Sequence, residues 1–292
     1  MDEAGVSTTD RFAARRAIQR SARQADRPRK LNLNRSPVWR PDSAPEWRVE
    51  DRVFAFGNRT PALAIGGDAE DSLAMRTAEP EVLPGILEND WSGIERKIEI
   101  VKPFARAIHI DILDGKFAPN TTFLDPKPFT KYSSDIFFEL HMMVEEPIDY
   151  VERFAAVNFR RFVGHVEKMS DQNEFLARVR RQGGEAGLAV DGPTSVEAVA
   201  VPVRDVDCFL VMTITAGFSG QQFVAQHLEK VKTLRRQTAV PIEVDGGVRD
   251  STALLARDAG ASRFVTTSYL FGCADPAAQY RSLDACLRAS SH

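Results

Sequence analysis

From Glu81 onward the chain alternates two kinds of segment, and this alternation restricts the available folds more than any other feature. Eight short, β-rich apolar runs follow one another: EVLPGIL (81–87), RAIHID (106–111), IFFELH (136–141), RRFVGHV (160–166), EAGLAV (185–190), DCFLVMT (207–213), PIEVD (241–245) and SRFVTT (262–267). Between them lie amphipathic stretches of helical length at 92–105, 147–157, 171–182, 194–200, 222–236 and 250–260, and a last one near 274–289. The stretch at 194–200, TSVEAVA, is the shortest, and the connection after Asp111 reads as loop with a short helix near Pro126–Lys131. Strands that alternate with helices pair in parallel through right-handed crossovers. Eight such units close most simply into a (β/α)8 barrel, the TIM-barrel class of α/β fold. An open doubly wound sheet is the competing arrangement, but eight units without a second domain favour closure.

Residues 1–80 have a different character. They are rich in Arg, Pro, Asp and Ser, and residues 1–40 carry ten Arg or Lys against four Asp or Glu. Only Arg11–Arg23 has helical spacing, with Ala14, Ile18 and Ala22 on one side, and the three prolines of Ser36–Trp47 predict an extended or irregular path. The expected organisation is a mostly disordered Arg/Pro-rich extension over 1–80 and a barrel domain over 81–292. An Arg-rich start also suits a targeting peptide, although Asp2, Glu3 and Asp10 weigh against one. A net charge of −3 argues neither for nucleic acid nor for an anionic membrane surface, so neither is expected as partner, and no apolar stretch is long enough to span a bilayer. The three cysteines, Cys208, Cys273 and Cys286, form no close motif, which predicts reduced thiols and a cytoplasmic setting.

Four residues stand out against the barrel pattern: His109, Asp111, His141 and Asp245, each toward the C-terminal end of an apolar run. Barrel active sites are built at that end of the strands. His109 and Asp111 are two apart on one strand and share a face. Two imidazoles and two carboxylates suit one divalent metal ion, Zn, Fe, Mn or Co. Two carboxylates beside a Lewis acid also suit removal of a proton next to a carbonyl and its return on the opposite face, through an enediolate. Three glycine-bearing loops follow the last three strands: Thr215–Phe223 with Gly217 and Gly220, Asp245–Val248 with Gly246 and Gly247, and Thr266–Gly272. Backbone N–H groups in such loops hold phosphate in many barrels.

The segments HIDILDGKFAPNTTF (109–123), ELHMMVEEPIDYV (139–151), GLAVDGPTSVEAV (187–199), LVMTITAGFSGQQF (210–223) and IEVDGGV (242–248) resemble the ribulose-phosphate 3-epimerase family over roughly residues 82–272. The resemblance implies interconversion of ribulose 5-phosphate and xylulose 5-phosphate, with metal held by His109, Asp111, His141 and Asp245. Asp111 and Asp245 would be the acid/base pair. Gly217, Gly220, Gly246, Gly247 and the Thr267–Ser268 turn would bind phosphate, and Met143 and Met212 would lie near the reacting carbons. It also implies a homo-oligomer. Related decarboxylase and synthase barrels carry an Asp-x-Lys-x-x-Asp motif, which Asp111-Ile112-Leu113-Asp114 does not match. The chain departs from the family pattern at several places. Its first strand reads Pro84-Gly85-Ile86-Leu87 in place of Pro-Ser-Ile-Leu. Ala216 and Ser219 replace a proline and a glycine of the phosphate loop, Thr267 replaces the glycine of the last turn, and Lys168 stands where a small residue is usual. These changes touch the substrate side and leave the metal and proton chemistry intact. They keep open a related hexulose 6-phosphate as substrate, or a non-catalytic protein that binds a sugar phosphate.

Overall fold

A computed structural model describes residues 78–289. The expectations for a disordered extension, a helix at Arg11–Arg23 and an irregular Ser36–Trp47 fall outside the described residues. Eight parallel strands close in sequence order into one barrel. They are β1 (Glu81–Ile86), β2 (Ala107–Leu113), β3 (Phe137–Met143), β4 (Phe159–His165), β5 (Glu185–Val190), β6 (Cys208–Met212), β7 (Ile242–Asp245) and β8 (Arg263–Thr266). The seam is closed by β1, which pairs with β2 on one side and with β8 on the other.

The two faces of each strand have different tasks. In β2, Ile108, Ile110 and Ile112 pack in the main core against the helices, together with Phe138, Leu140 and Met142 of β3. Ala107, His109, Asp111 and Leu113 alternate with these isoleucines and face the barrel interior, as the two-residue period of a strand requires. That interior is capped toward the C-terminal mouth by Leu113, Met143, Leu210, Met212 and Ile214. Burial on both faces explains why the strands read as nearly continuous apolar runs.

The outer layer consists of α1 (Trp91–Val101), α2 (Ile148–Ala155), α3 (Gln172–Arg181), α4 (Leu228–Arg235), α5 (Asp250–Ala259), a single turn α6 (Ser268–Phe271) and α7 (Pro276–Arg288). Asp90, Asp171 and Asp275 cap α1, α3 and α7 by accepting from the N–H groups of Gly93, Glu174 and Ala278, which satisfies donors that a helix start leaves unpaired. Ile94, Ile98 and Val101 of α1, Phe175 and Val179 of α3, and Val231 and Leu234 of α4 then enter the main core.

Two expected helices are corrected. The stretch 194–200 forms only a 3-10 turn at Val196–Ala198, followed by another at Val203–Asp205. Pro193 and Pro202 bound it, and Val196, Val199 and Val201 are β-branched, so the segment is too short and too stiff to nucleate a helix. The stretch 222–236 likewise reduces to a 3-10 turn at Ala225–His227 and α4. The short helix after β2 is a 3-10 segment, Lys127–Tyr132. All three cysteines are free, and no helix among the described residues is long and apolar enough to cross a membrane.

Candidate active site

The strands bring the four donors together. Register places Asp111 of β2 beside His141 of β3, and His109 beside Glu139. Asp245 ends β7, flanked by Met212 of β6 and Val265 of β8. His109 and His141 are wholly buried, and Asp111 and Asp245 are 5% and 9% exposed. Asp111 Oδ1 lies 3.1 Å from His109 Nε2 and 2.9 Å from His141 Nδ1, and Asp245 Oδ2 lies 3.6 Å from His141 Nδ1. One detail differs from expectation. Asp111 and His141 do not end their strands, because β2 continues to Leu113 and β3 to Met143. Asp111 and His141 therefore each lie one inward-facing residue below the end of their strand.

These atoms fit one metal ion. Each residue offers a ligand atom, and all four atoms lie within 4.8 Å of one another. Metal–ligand bonds of about 2.0–2.2 Å place adjacent donors roughly 3 Å apart, the spacing found here. The electrostatics point the same way. Burial raises the Asp111 carboxyl, but the neighbouring His109 and His141 outweigh it and hold the group below the usual carboxylate range. Burial together with the charge of Asp111 pushes Asp245 up to about 6. Two carboxylates in so dry a place carry an excess of negative charge, which a divalent cation offsets.

A second layer of polar groups orients the first. His109 Nδ1 lies 2.5 Å from Glu139 Oε1 and 3.2 Å from Glu243 Oε1. Such a carboxylate fixes the ring and directs its other nitrogen toward the donor set. Glu139 is also paired with Arg161 at 2.7 Å. Burial raises the Glu139 carboxyl, and the Arg161 charge overrides burial to keep it ionised. Glu243 is raised to about 8 by burial and by the neighbouring Glu139. His141 Nε2 stands 2.9 Å from His165 Nε2, and His165 Nδ1 stands 3.0 Å from Glu167 Oε2. The Asp191 N–H donates to Glu167 Oε1, and Asp191 Oδ1 accepts from the Ala216 N–H at 2.9 Å. A continuous polar chain thus runs from the donor set to the loop after β6. Glu139 and Glu243 carry a signal that sequence reading did not use: each stands two residues before a donor on the same strand face, as Glu139-x-His141 and Glu243-x-Asp245.

Above the donors opens a small cavity. Asp111 and Asp245 line its floor, and Met143 and Met212 its wall, while Gly217, Gly220, Gly246, Gly247, Thr267 and Ser268 line the side toward β6, β7 and β8. His109 and His141 lie beneath and do not reach the cavity lining. Two glycines show why no other residue fits the cradle. Gly246 has φ 111°, and a Cβ there would come within 2.3 Å of Ile214 Cγ1. Gly247 has φ 66°, and a Cβ there would lie 2.8 Å from the Phe223 backbone N. Neither position tolerates a side chain, so bare backbone faces the cavity. Among the described residues no Lys or Arg lines it, and Lys168 is exposed on the turn after β4.

A closed barrel with buried acids at its mouth and a glycine-lined cradle beside them is the architecture of a barrel enzyme. The family model for the ribulose-phosphate 3 epimerase family matches residues 81–271. A ribulose-phosphate 3-epimerase of Chlamydia pneumoniae is 37% identical over 199 residues, covering 64% of this chain and 86% of that protein. One from Bacillus subtilis is 33% identical over 208 residues, covering 67% and 94%. Among solved structures, KGPDC from Streptococcus mutans superposes with a TM-score of 0.57 over 72% of this chain and 98% of that chain, and its 12% identity speaks for the fold alone. The chain belongs to the ribulose-phosphate 3-epimerase family. It is therefore an isomerase of the epimerase kind, and the resemblance seen in its motifs is borne out.

Proposed function

We propose that the protein epimerises a ketose phosphate at C3, with ribulose 5-phosphate and xylulose 5-phosphate as the pair interconverted, by a two-base proton transfer. The observation that carries this reading is the placement of Asp111 and Asp245. Both carboxylates line the floor of one cavity, and their ligand oxygens belong to a single cluster of donors. His109, Asp111, His141 and Asp245 would hold one divalent cation. When bound, that cation supplies Lewis acidity, which stabilises the negative charge of an enediolate.

The remaining work falls to the chain itself. Asp111, held in its ionised form, takes the C3 proton on one face of the substrate. Asp245 delivers a proton to C3 on the other face. The same two groups exchange roles in the reverse direction. His109 and His141 are held by Glu139 and by His165, so neither ring needs to reorient during turnover. Met143 and Met212 exclude water from the reacting carbons. The substrate phosphate is bound by N–H groups of the Gly217–Gly220 and Gly246–Gly247 loops with the Ser268 hydroxyl. Such an arrangement needs no cationic side chain when several backbone dipoles converge.

The test is deuterium uptake from D2O at C3 of C5 and C6 ketose phosphates, followed by NMR, with metal content measured on the same sample. Ribulose 5-phosphate is expected to gain deuterium and to yield xylulose 5-phosphate. Uptake confined to a C6 ketose phosphate would shift the substrate to a hexulose. A metal-loaded sample that exchanges no substrate would make the protein a sugar-phosphate binder without turnover.

A further inference from the structure

Two departures from the family's sequence pattern, Gly85 on the first strand and Thr267 after the last, meet in space. In the register of β1 with β2, Gly85 sits beside His109, so it belongs to the inward-facing set. In the register of β1 with β8, Pro84 pairs with Thr266, which brings the next residue, Thr267, alongside Gly85. The contact is too close for two side chains. A Cβ added to Gly85 would lie 2.5 Å from Thr267 Oγ1 and 2.7 Å from Val265 Cγ1. The Thr267 hydroxyl thus stands in the volume that a short side chain at position 85 would fill. Its backbone, at φ −115°, makes no demand for glycine.

That hydroxyl is also unspent. The Thr267 carbonyl accepts from the N–H groups of Leu270 and Phe271, but its Oγ1 has no hydrogen-bond partner among the described residues. Thr266, by contrast, turns its hydroxyl toward the Val248 carbonyl at 3.4 Å. Thr267 lines the same cavity as Asp111, Asp245 and Gly247. An unpartnered hydroxyl on a residue that lines a cavity is available to bind what enters it.

We infer that Thr267 supplies the substrate-positioning hydroxyl on the β1/β8 side of the mouth, that Gly85 is bare to admit it, and that the two form one specificity-determining pair. This rests on the proposed function above. The ligand group it would meet is an oxygen of the ketose phosphate, a hydroxyl or the carbonyl. In this protein, then, the hydrogen-bonding group comes from the end of β8, and the Thr267 methyl narrows the cavity beside it.

The experiment compares Thr267→Val, Thr267→Gly, Gly85→Ser and the double variant Gly85→Ser/Thr267→Gly in the full chain. Ribulose 5-phosphate affinity is read by calorimetry, kcat and KM by C3 deuterium exchange, and folding by Tm. Thr267→Val keeps the shape and removes the hydroxyl, so KM and the dissociation constant should each rise about tenfold while Tm holds, the ordinary effect of one lost substrate hydrogen bond. Gly85→Ser alone should weaken binding through collision with Thr267. The double variant should recover part of that loss, because the serine no longer meets Thr267 Oγ1, only the movable Val265 side chain, and brings a hydroxyl of its own. Unchanged affinity in Thr267→Val, or losses in the double variant that simply add, would overturn the inference. If the wild-type protein binds ribulose 5-phosphate but exchanges nothing, the epimerase reading fails and the binding series still decides the role of Thr267. If the wild type neither binds nor exchanges it, both fall.

Discussion

Asp111 and Asp245 share one cavity floor but carry different electrostatic loads. His109 and His141 outweigh burial at Asp111, whereas at Asp245 burial and the charge of Asp111 outweigh the same two histidines. A two-base epimerase needs one carboxylate to take a proton and the other to deliver one on opposite sides of a carbon. Asp111→Asn and Asp245→Asn are each expected to lower C3 exchange by roughly 10²- to 10⁴-fold, the range for removal of a general acid or base. The measurement is deuterium incorporation at saturating metal, and substantial exchange in either variant would sink the two-base scheme. The sequence displays the four donors because each is a polar residue toward the mouth end of an apolar run. It hides Glu139 and Glu243 because a charge two places before a donor reads as an ordinary interruption of that run. The contact of Gly85 with Thr267 is hidden more deeply, since only the closure of β1 onto β8 makes them neighbours.

At the scale of elements, β4 and the turn after it link the donor set to the loop that covers the cavity. Glu167 is the hinge of that link. Burial raises its carboxyl, but the hydrogen bond from His165 and the N–H of Asp191 prevail and lower it to about 2. A carboxylate depressed in the folded state stabilises the protein above its unfolded pKa of about 4.3, and the contribution disappears as pH falls toward the folded value. Wild-type protein should therefore lose on the order of 1–2 kcal/mol from this group between about pH 5 and pH 2. Glu167→Gln should lack that component. Urea unfolding of both proteins at a series of pH values checks it, and a wild-type-minus-variant difference that stays flat across that window would refute the assignment. Element identity itself was mostly legible, because eight apolar runs and amphipathic spacers survive any reasonable shift of their boundaries. The fifth connection was not, since TSVEAVA has helix-like spacing over too few residues, and β-branching and flanking prolines decide such short segments.

At the scale of the molecule, the donor set joins strands that are far apart in the chain. His109 and Asp111 come from β2, His141 from β3 and Asp245 from β7, so an unfolded chain cannot present the four together. A cation that binds only the closed barrel must then stabilise the whole fold. At a free concentration about 100 times its dissociation constant, linkage gives about 2.7 kcal/mol, and for a domain of this size each kcal/mol moves the melting point by about 2–4 °C. Removing the cation with a chelator should accordingly lower Tm by roughly 5–10 °C, and adding Mn²⁺ or Zn²⁺ should restore it. Asp245→Asn removes one of the two carboxylate donors without changing side-chain size, so its Tm should respond much less to either treatment. This control separates specific occupancy of the donor set from general effects of metal on the protein surface. A melting point indifferent to chelation in a sample that has lost its metal would mean that the four side chains gather as a hydrogen-bonded cluster and not as ligands.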